Sequence, residues 1–357
     1  MILFILPLFS GGGAERVTIN LMLKLHSRGH NIGLIVLNKR GPLIEKIPSD
    51  INIYDLKTQK LRRSILKLIR LIYLLKPKVI FSTFGYINVC LLLLRFVLPK
   101  KTIIWIREAN LPSVALKHAP NSVLMSLGYF FLYRRANKLI STSEKMTQEF
   151  NKRFNVPLSK IFLLPNPIDE DYIRSNIKLE SFKKSKGLKF VASGRLTYQK
   201  GFDRLISWFA ELNDESNNLT ILGEGPLYEE LKSRICSLQI QNQVKLVGFV
   251  KNPWQYYARA DAFLLSSRWE GMPNVALEAL ACGTIVIATK DSGGIQEVRE
   301  EAFNDSVMVM DNDKEFIKSM RQTVSKNKTS LHASLLPNKY RLNKVVSIFE
   351  EWLIELG

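Results

Sequence analysis

Glu270 and Glu278 stand eight positions apart in the run Ser266-Ser267-Arg268-Trp269-Glu270-Gly271-Met272-Pro273-Asn274-Val275-Ala276-Leu277-Glu278. Paired carboxylates suit the hydroxyls of a sugar, and the elements around them say how they would be held. The apolar segment Ala262 to Leu265 reads as a buried parallel strand, Gly-Met-Pro as a tight turn, and Asn274 as the cap of a helix that carries Glu278 two turns along. One acid then lies on a loop and the other on the helix that loop opens. Amides at a helix start attract anions, so the unit suits an anionic polyol.

Two cations recur in a similar setting. Gly194-Arg195-Leu196-Thr197-Tyr198-Gln199-Lys200-Gly201-Phe202-Asp203 follows the strand-like Lys189 to Ser193 and opens a helix. Near the start of the chain, Ser10-Gly11-Gly12-Gly13-Ala14-Glu15-Arg16-Val17 places glycines where backbone can approach a ligand. A dinucleotide fingerprint would need G-x-G-x-x-G and an acid about twenty residues on. This loop lacks the third glycine and the second strand ends in Leu37-Asn38-Lys39, which disfavours NAD.

The Glu270 to Glu278 stretch resembles the EX7E signature of retaining glycosyltransferases of family 4, which use a nucleotide-sugar donor. The resemblance implies an α/β chain of GT-B fold: two facing Rossmann-like domains with parallel sheets and an interdomain cleft. It also implies that Glu270 binds donor sugar hydroxyls, that Glu278 binds the ribose, and that Gly271, Met272, Pro273, Asn274 and Val275 line the sugar and diphosphate. The Gly194 segment is similar to the family's GRL…KG run, in which Arg195 and Lys200 hold the donor diphosphate. Fixed cations stabilise a departing diphosphate without a metal. The Ser10 loop resembles the GGAER loop of members that build surface polysaccharides; Gly12 and Gly13 would border the donor phosphate and Glu15 the acceptor. Leu222-Gly223-Glu224-Gly225-Pro226-Leu227 looks like the family's GxGP turn, and Gly248-Phe249-Val250 like its segment beside the nucleotide base.

One departure stands out. Many relatives carry a first-domain His near the transferred sugar, whereas Trp105-Ile106-Arg107-Glu108-Ala109-Asn110 has no His nearer than His118. Arg107, Glu108 and Asn110 become the candidate sugar or acceptor contacts. Asp169-Glu170-Asp171 and Asp311-Asn312-Asp313 have DxD spacing, but such triplets are by default surface turns. No essential metal or other cofactor is expected.

Composition agrees with a two-domain enzyme: 357 residues, 46% hydrophobic and 23% charged. Cys90, Cys236 and Cys282 form no metal or disulfide spacing and point to reduced thiols in the cytoplasm. Met1 to Phe9 has no basic residue before it and reads as a first strand rather than a signal peptide. The run Tyr86 to Leu94 is cut by Arg95, too short for a membrane span.

The net charge of +19 is lopsided, since residues 1–170 hold 26 Lys and Arg against 9 Asp and Glu, and the remainder 25 against 23. Lys57, Lys60, Arg62, Arg63, Lys67, Arg70, Lys76 and Lys78 interleave with Leu and Ile at helical spacing, and Arg134, Arg135 and Lys138 follow the apolar Leu127 to Tyr133. Such a surface suits anionic lipid. No nucleic-acid-binding signature accompanies it. The expected location is cytoplasmic, peripheral on the inner face of the cell membrane.

Strand-like runs Ile2 to Leu6, Ile32 to Leu37, Val79 to Ser82, Thr102 to Ile106 and Lys138 to Thr142 give the first half a βα rhythm. Lys189 to Ser193, Leu219 to Leu222, Val244 to Val247, Ala262 to Leu265 and Thr284 to Ala288 repeat it. Leu164-Pro165-Asn166-Pro167-Ile168-Asp169 reads as the linker, similar to the family's NPiD stretch. The expected domains are residues 1–165, on the acceptor side, and residues 166–339, on the donor side, with residues 340–357 a helix that in relatives returns to the first domain.

The expected activity is transfer of a hexose or N-acetylhexosamine from a nucleoside-diphosphate sugar, UDP-sugar favoured, to a lipid-linked or polysaccharide acceptor. Two rivals are a nucleotide-sugar epimerase of the same fold, which would release a free altered sugar, and a non-catalytic polyanion-binding protein, which would leave the second-half motifs idle.

Overall fold

The computed structural model describes residues 1–117, 121–178, 187–325 and 330–356. The chain divides into two compact units, Met1–Pro167 with Leu342–Gly357, and Ile168–Arg341. Both crossings fall two residues later than the sequence places them. The reason is local: the Ile168 amide donates to the Tyr340 carbonyl at 2.8 Å, and Ile168 bridges Arg341, so both ends of the second unit are stitched together.

The first unit runs β1 (Ile2–Leu6), α1 (Gly13–Ser27), β2 (Ile32–Val36), β3 (Asn52–Asp55), α2 (Ile65–Leu75), β4 (Val79–Ser82), α3 (Gly85–Leu93), β5 (Ile103–Arg107), α4 (Pro112–Lys117), α5 (Ser122–Leu132), β6 (Lys138–Ser141), α6 (Glu144–Phe154) and β7 (Ile161–Leu163). The second runs α7 (Glu170–Ser175), β8 (Lys189–Ser193), α8 (Phe202–Ala210), β9 (Asn218–Leu222), α9 (Tyr228–Ser237), β10 (Val244–Gly248), α10 (Trp254–Arg259), β11 (Ala262–Leu265), α11 (Asn274–Ala281), β12 (Ile285–Thr289), α12 (Ile295–Glu301), β13 (Val307–Met310) and α13 (Asp313–Arg321). The last helix, α14 (Leu342–Ile354), belongs to the first unit, where Arg28 pairs with Glu350 at 2.5 Å.

Each unit is built on one parallel sheet, ordered β3-β2-β1-β4-β5-β6-β7 in the first and β10-β9-β8-β11-β12-β13 in the second. Side chains alternate across each sheet, so Leu3 and Ile5 of β1 join one buried cluster while Ile2, Phe4 and Leu6 join the other. In the second unit Val191 and Phe190 part in the same way. Strand order reverses between β1 and β4 and between β8 and β11. In an open parallel sheet such a switch point, at the carboxyl ends of the strands, is where ligands bind.

Three strands escape the sequence reading: β3, β7 and β13. All lie at or near sheet edges and are only partly buried, so they lack the continuous apolar run of a central strand. Lys138 is also placed differently from its expected surface position. It is buried at the start of β6, its Nζ 3.6 Å from the Phe162 ring centre and 5.2 Å from that of Trp352, and it pairs with Glu355 at 3.2 Å. Among the described residues no helix is long and apolar enough to cross a membrane.

Candidate functional site

In the second unit, three loops leave the carboxyl ends of β8, β11 and β12 and lock together. The β8 loop passes through Arg195 to a short 3-10 turn, Tyr198–Lys200, and then enters α8. Ser266 of the β11 loop donates from its hydroxyl to the Lys200 carbonyl at 2.9 Å, and Gln199 Nε2 donates to the Trp269 carbonyl at 3.0 Å. Arg268 clamps the same loops: it donates to both carboxylate oxygens of Asp203, at 2.8 and 2.6 Å, and lies 3.8 Å above the Tyr198 ring. Burial alone would raise the Asp203 pKa, but the hydrogen bonds and charge of Arg268 outweigh it and hold the carboxyl below its ordinary value.

This clamp brings Lys200 and Glu270 together. Lys200 Nζ donates to Glu270 Oε1, which also accepts from the Ser267 hydroxyl at 2.7 Å. Glu270 is 8% exposed, and its Oε2 makes no hydrogen bond among the described residues. Arg195 differs from Lys200. Its side chain is exposed and makes no hydrogen bond or ion pair among the described residues.

The β12 loop supplies a support that the sequence reading did not single out. Gly293 adopts φ +64°, and a side chain there would come within 2.4 Å of the carbonyl oxygens of both Glu270 and Gly271. The Gly294 amide then donates to the Gly271 carbonyl at 2.7 Å. The available signal was Ser292-Gly293-Gly294 shortly after the strand-like run Thr284 to Ala288, the same pattern that marked the Ser10 loop.

Glu278 sits on α11, buried, and its Oε2 accepts from Trp254 Nε1 at 3.0 Å. The expected cap is corrected here: Asn274 is the first residue of α11, and the cap position is Pro273, which makes no side-chain cap bond. The tight turn ahead of it shifts the helix start by one residue. Pro273 has no N–H; its carbonyl accepts from Ala276 at 3.0 Å, and Gly271, Met272, Asn274 and Val275 flank it. On the other side of the Arg195 loop, a side chain at Gly223 would lie 1.9 Å from the Gly194 carbonyl oxygen. The Gly223 amide donates to the Gly248 carbonyl at 2.7 Å, and the Phe249 amide approaches Glu224 Oε1 at 3.4 Å. Phe249 is exposed and Val250 half-buried. The Gly223 turn therefore sets the spacing between the Arg195 loop and the Gly248 to Val250 segment.

In the first unit, the candidates lie at the ends of β1 and β5, the strands on either side of β4. Gly12 precedes the first turn of α1, Gly13 begins it, and Glu15 folds back to accept from the Ser10 hydroxyl at 2.5 Å. Burial and, secondarily, the Glu15 charge push Tyr86 on α3 up to about 12. Arg107 and Glu108 are buried rather than open to a ligand. Arg107 Nη2 donates to Asn166 Oδ1, and burial lowers its pKa to about 10 against the opposing charge of Glu108. Glu108 Oε1 accepts from Asn88 Nδ2 at 2.9 Å and from Tyr133, yet burial prevails and pushes its pKa up to about 7. Asn110 is exposed. His118 lies outside the described residues.

The two DxD triplets serve helix starts: the Asp169 side chain accepts from the Tyr172 amide and Asn312 from that of Glu315. No group of three or more His, Cys, Asp or Glu fit to hold a metal occurs among the described residues.

Residues 11–172 match the family model described as Glycosyltransferase Family 4, and residues 174–338 the one described as Glycosyl transferases group 1. The chain is 30% identical over 337 residues to the N-acetylgalactosamine-N,N'-diacetylbacillosaminyl-diphospho-undecaprenol 4-alpha-N-acetylgalactosaminyltransferase of Campylobacter jejuni, covering 91% of this chain and 90% of that one. An uncharacterized glycosyltransferase of Methanocaldococcus jannaschii is 34% identical over 207 residues, 56% of this chain and about half of the relative's length, 50%. The chain belongs to the glycosyltransferases, and it is an enzyme of that class. Its fold, GT-B, is shared with HepE of Anabaena in complex with UDP and glucose, at a TM-score of 0.78, 18% identity and 99% coverage of both chains.

Proposed function

We propose that this glycosyltransferase moves a hexose or N-acetylhexosamine from a UDP-sugar, with retention, to a lipid-linked saccharide in the assembly of a cell-surface glycan. The observation that carries the reading is the pairing of Lys200 with Glu270 at the β8/β11 switch point, beside the exposed Arg195. A carboxylate whose Oε1 is held by a lysine and a serine keeps Oε2 for sugar hydroxyls. Two cations on one loop suit the diphosphate. Glu278 is assigned to the ribose, Gly248, Phe249 and Val250 to the base, and Gly12 and Gly13 to the donor phosphate side. Glu15 and Asn110 are the acceptor contacts, with Arg107 and Glu108 holding the β5 end beneath them.

In the reaction, the acceptor hydroxyl oxygen bonds to the anomeric carbon on the face from which the diphosphate leaves. The bond from that carbon to the diphosphate oxygen breaks, and the hydroxyl proton passes to a leaving phosphate oxygen. Arg195 and Lys200 stabilise the charge developing there, and no essential metal is required. The lipid-linked acceptor is supported by the Campylobacter relative, whose name specifies a diphospho-undecaprenol substrate, and UDP by the HepE complexes. A lipid-linked acceptor supports work at the inner face of the cell membrane.

The test is a panel of UDP-sugars assayed for UDP release and thermal stabilisation, followed by NMR of the product's anomeric linkage. One sugar should stabilise the protein, and its product should keep the donor configuration. An altered free nucleotide sugar without UDP release would replace the transferase reading with an epimerase, and an inverted linkage would refute retention.

A further inference from the structure

The outer faces of α3, α5 and the turn after α3 carry apolar side chains that nothing among the described residues of the first unit covers. Phe96 is 77% exposed, Val123 74% and Leu124 64%, and Leu93, Val97, Leu127, Phe130 and Phe131 are also exposed. These positions form one surface. Helices α3 and α5 pack so closely that a side chain at Gly128 would lie 2.8 Å from Val89, and Arg135 lies 5.0 Å from the Phe96 ring centre. Tyr73 of α2 extends it by donating from its hydroxyl to the Val97 carbonyl at 2.9 Å, which brings in the exposed Leu66 and Leu74. The inner faces of the same helices, through Leu68, Ile72, Leu91, Leu92 and Leu132, are in the core, so the outer apolar residues are surplus to folding.

Charge decides the occupant. Between Leu56 and Ser143 the only Asp or Glu is Glu108, and it is buried. The exposed charges around the apolar surface are Arg62, Arg63, Lys67, Arg70, Arg134 and Arg135, all positive. Exposed rings and aliphatic chains with a predominantly cationic rim, where Asp55 beside Lys67 is half-buried, suit an anionic bilayer: the apolar groups enter the acyl boundary and the cations meet headgroup phosphates. A protein partner would have to be acidic all round to match such a rim.

We infer that the surface formed by α3, the Leu94–Phe96 turn and α5 inserts shallowly into an anionic membrane, with α2, the Leu61–Arg63 turn before it and the Tyr133–Arg135 turn after α5 supplying the cationic rim. The inference rests on the membrane-acceptor reading and adds the surface that would meet the membrane. It also links docking to the acceptor side. Tyr133, just after α5, and Asn88, on α3, donate to Glu108 beside Arg107, so the inserting helices are fastened to the β5 end.

The test uses the full chain and vesicles of phosphatidylglycerol and phosphatidylethanolamine. Electrostatic attraction is screened within about 4 Å near 0.5 M salt, whereas insertion is not, so the wild type should still sediment with vesicles there. F96S/V123S/L124S/F131S should lower partitioning roughly a hundredfold while melting temperature and stabilisation by UDP stay unchanged. Wild-type partitioning by the variant would overturn the inference, as would complete release of the wild type by salt. A wild-type dimer that the variant converts to monomers would assign the surface to a second copy instead. If the wild type docks yet glycosylates a water-soluble saccharide as fast as a lipid-linked one, the acceptor reading fails and the docking surface stands.

Discussion

Arg195 and Lys200 offer the same charge from one loop, but their surroundings make their removal distinguishable. Arg195→Ala takes away an exposed side chain with no hydrogen bond or ion pair among the described residues, so stability should change by less than about 0.5 kcal/mol. Lys200→Ala leaves the Glu270 carboxylate with Ser267 as its remaining donor. Removing one partner of a fully buried pair costs about 3 to 5 kcal/mol. The side chains of Lys200 and Glu270 retain 17% and 9% exposure, so water offsets part of that loss. About 2 kcal/mol is the reasonable size, which in a unit of this length lowers the melting temperature by about 4 to 8 °C. Both variants should lose about 2 to 4 kcal/mol of transition-state stabilisation, a fall of roughly 30- to 1,000-fold in kcat/KM. K200A/E270Q should recover part of the stability and none of the turnover, with a coupling of about 1 to 2 kcal/mol. Scanning calorimetry and a UDP-release assay read the two quantities separately. A K200A protein that melts like the wild type would refute the pairing, and near-normal turnover in R195A would remove Arg195 from the reaction.

Gly223→Ala should disturb the Arg195 loop, because the new methyl would meet the Gly194 carbonyl oxygen at 1.9 Å; a melting temperature and UDP affinity equal to those of the wild type would show that the turn yields freely. Glu108 has its folded pKa raised to about 7, so its contribution to stability is full below the unfolded value near 4.5 and is lost as pH rises through 7. Glu108→Gln should flatten that dependence, gaining on the order of 3 kcal/mol relative to the wild type between pH 4 and pH 8 by calorimetry, and parallel pH profiles would contradict the burial argument. Activity should survive excess chelator, since the two cations are assigned the diphosphate charge; loss of activity restored by magnesium or manganese would refute the metal-free reading.

The central strands were legible because burial on both faces leaves a continuous apolar run, as in Phe4, Ile5 and Leu6 or Phe263, Leu264 and Leu265. Strands β3, β7 and β13 were not, since partial burial lets polar and apolar residues mix. The motif loops were legible for a different reason. Glycine at Gly223 answers a close backbone approach, and such requirements leave marks in sequence even where no periodicity exists.

What could not be read was partnership between residues distant in sequence. Lys138 follows a basic pair and looks like surface charge, yet Phe162 and Trp352 form its aromatic surroundings and Glu355 its counter-charge. Arg107 and Glu108 follow a buried strand and look like ligand contacts, yet Asn166, Asn88 and Tyr133 hold them inside. Lys200 and Glu270 were each assigned to a different part of the donor, and their mutual pair emerged only once Arg268 had joined the two loops. That pair changes the chemical argument. A carboxylate with one oxygen held by a lysine and a serine hydroxyl is fixed in orientation and leaves its other oxygen to accept from sugar hydroxyls. Binding a diphosphate on Lys200 would compete with Glu270 for the same ammonium, so the two halves of the donor should be felt together: UDP alone should bind less tightly than UDP-sugar, and the difference should shrink when Glu270 is replaced by Gln. Equal loss of UDP and UDP-sugar affinity in E270Q, measured by calorimetric titration, would show that the lysine and the carboxylate act independently.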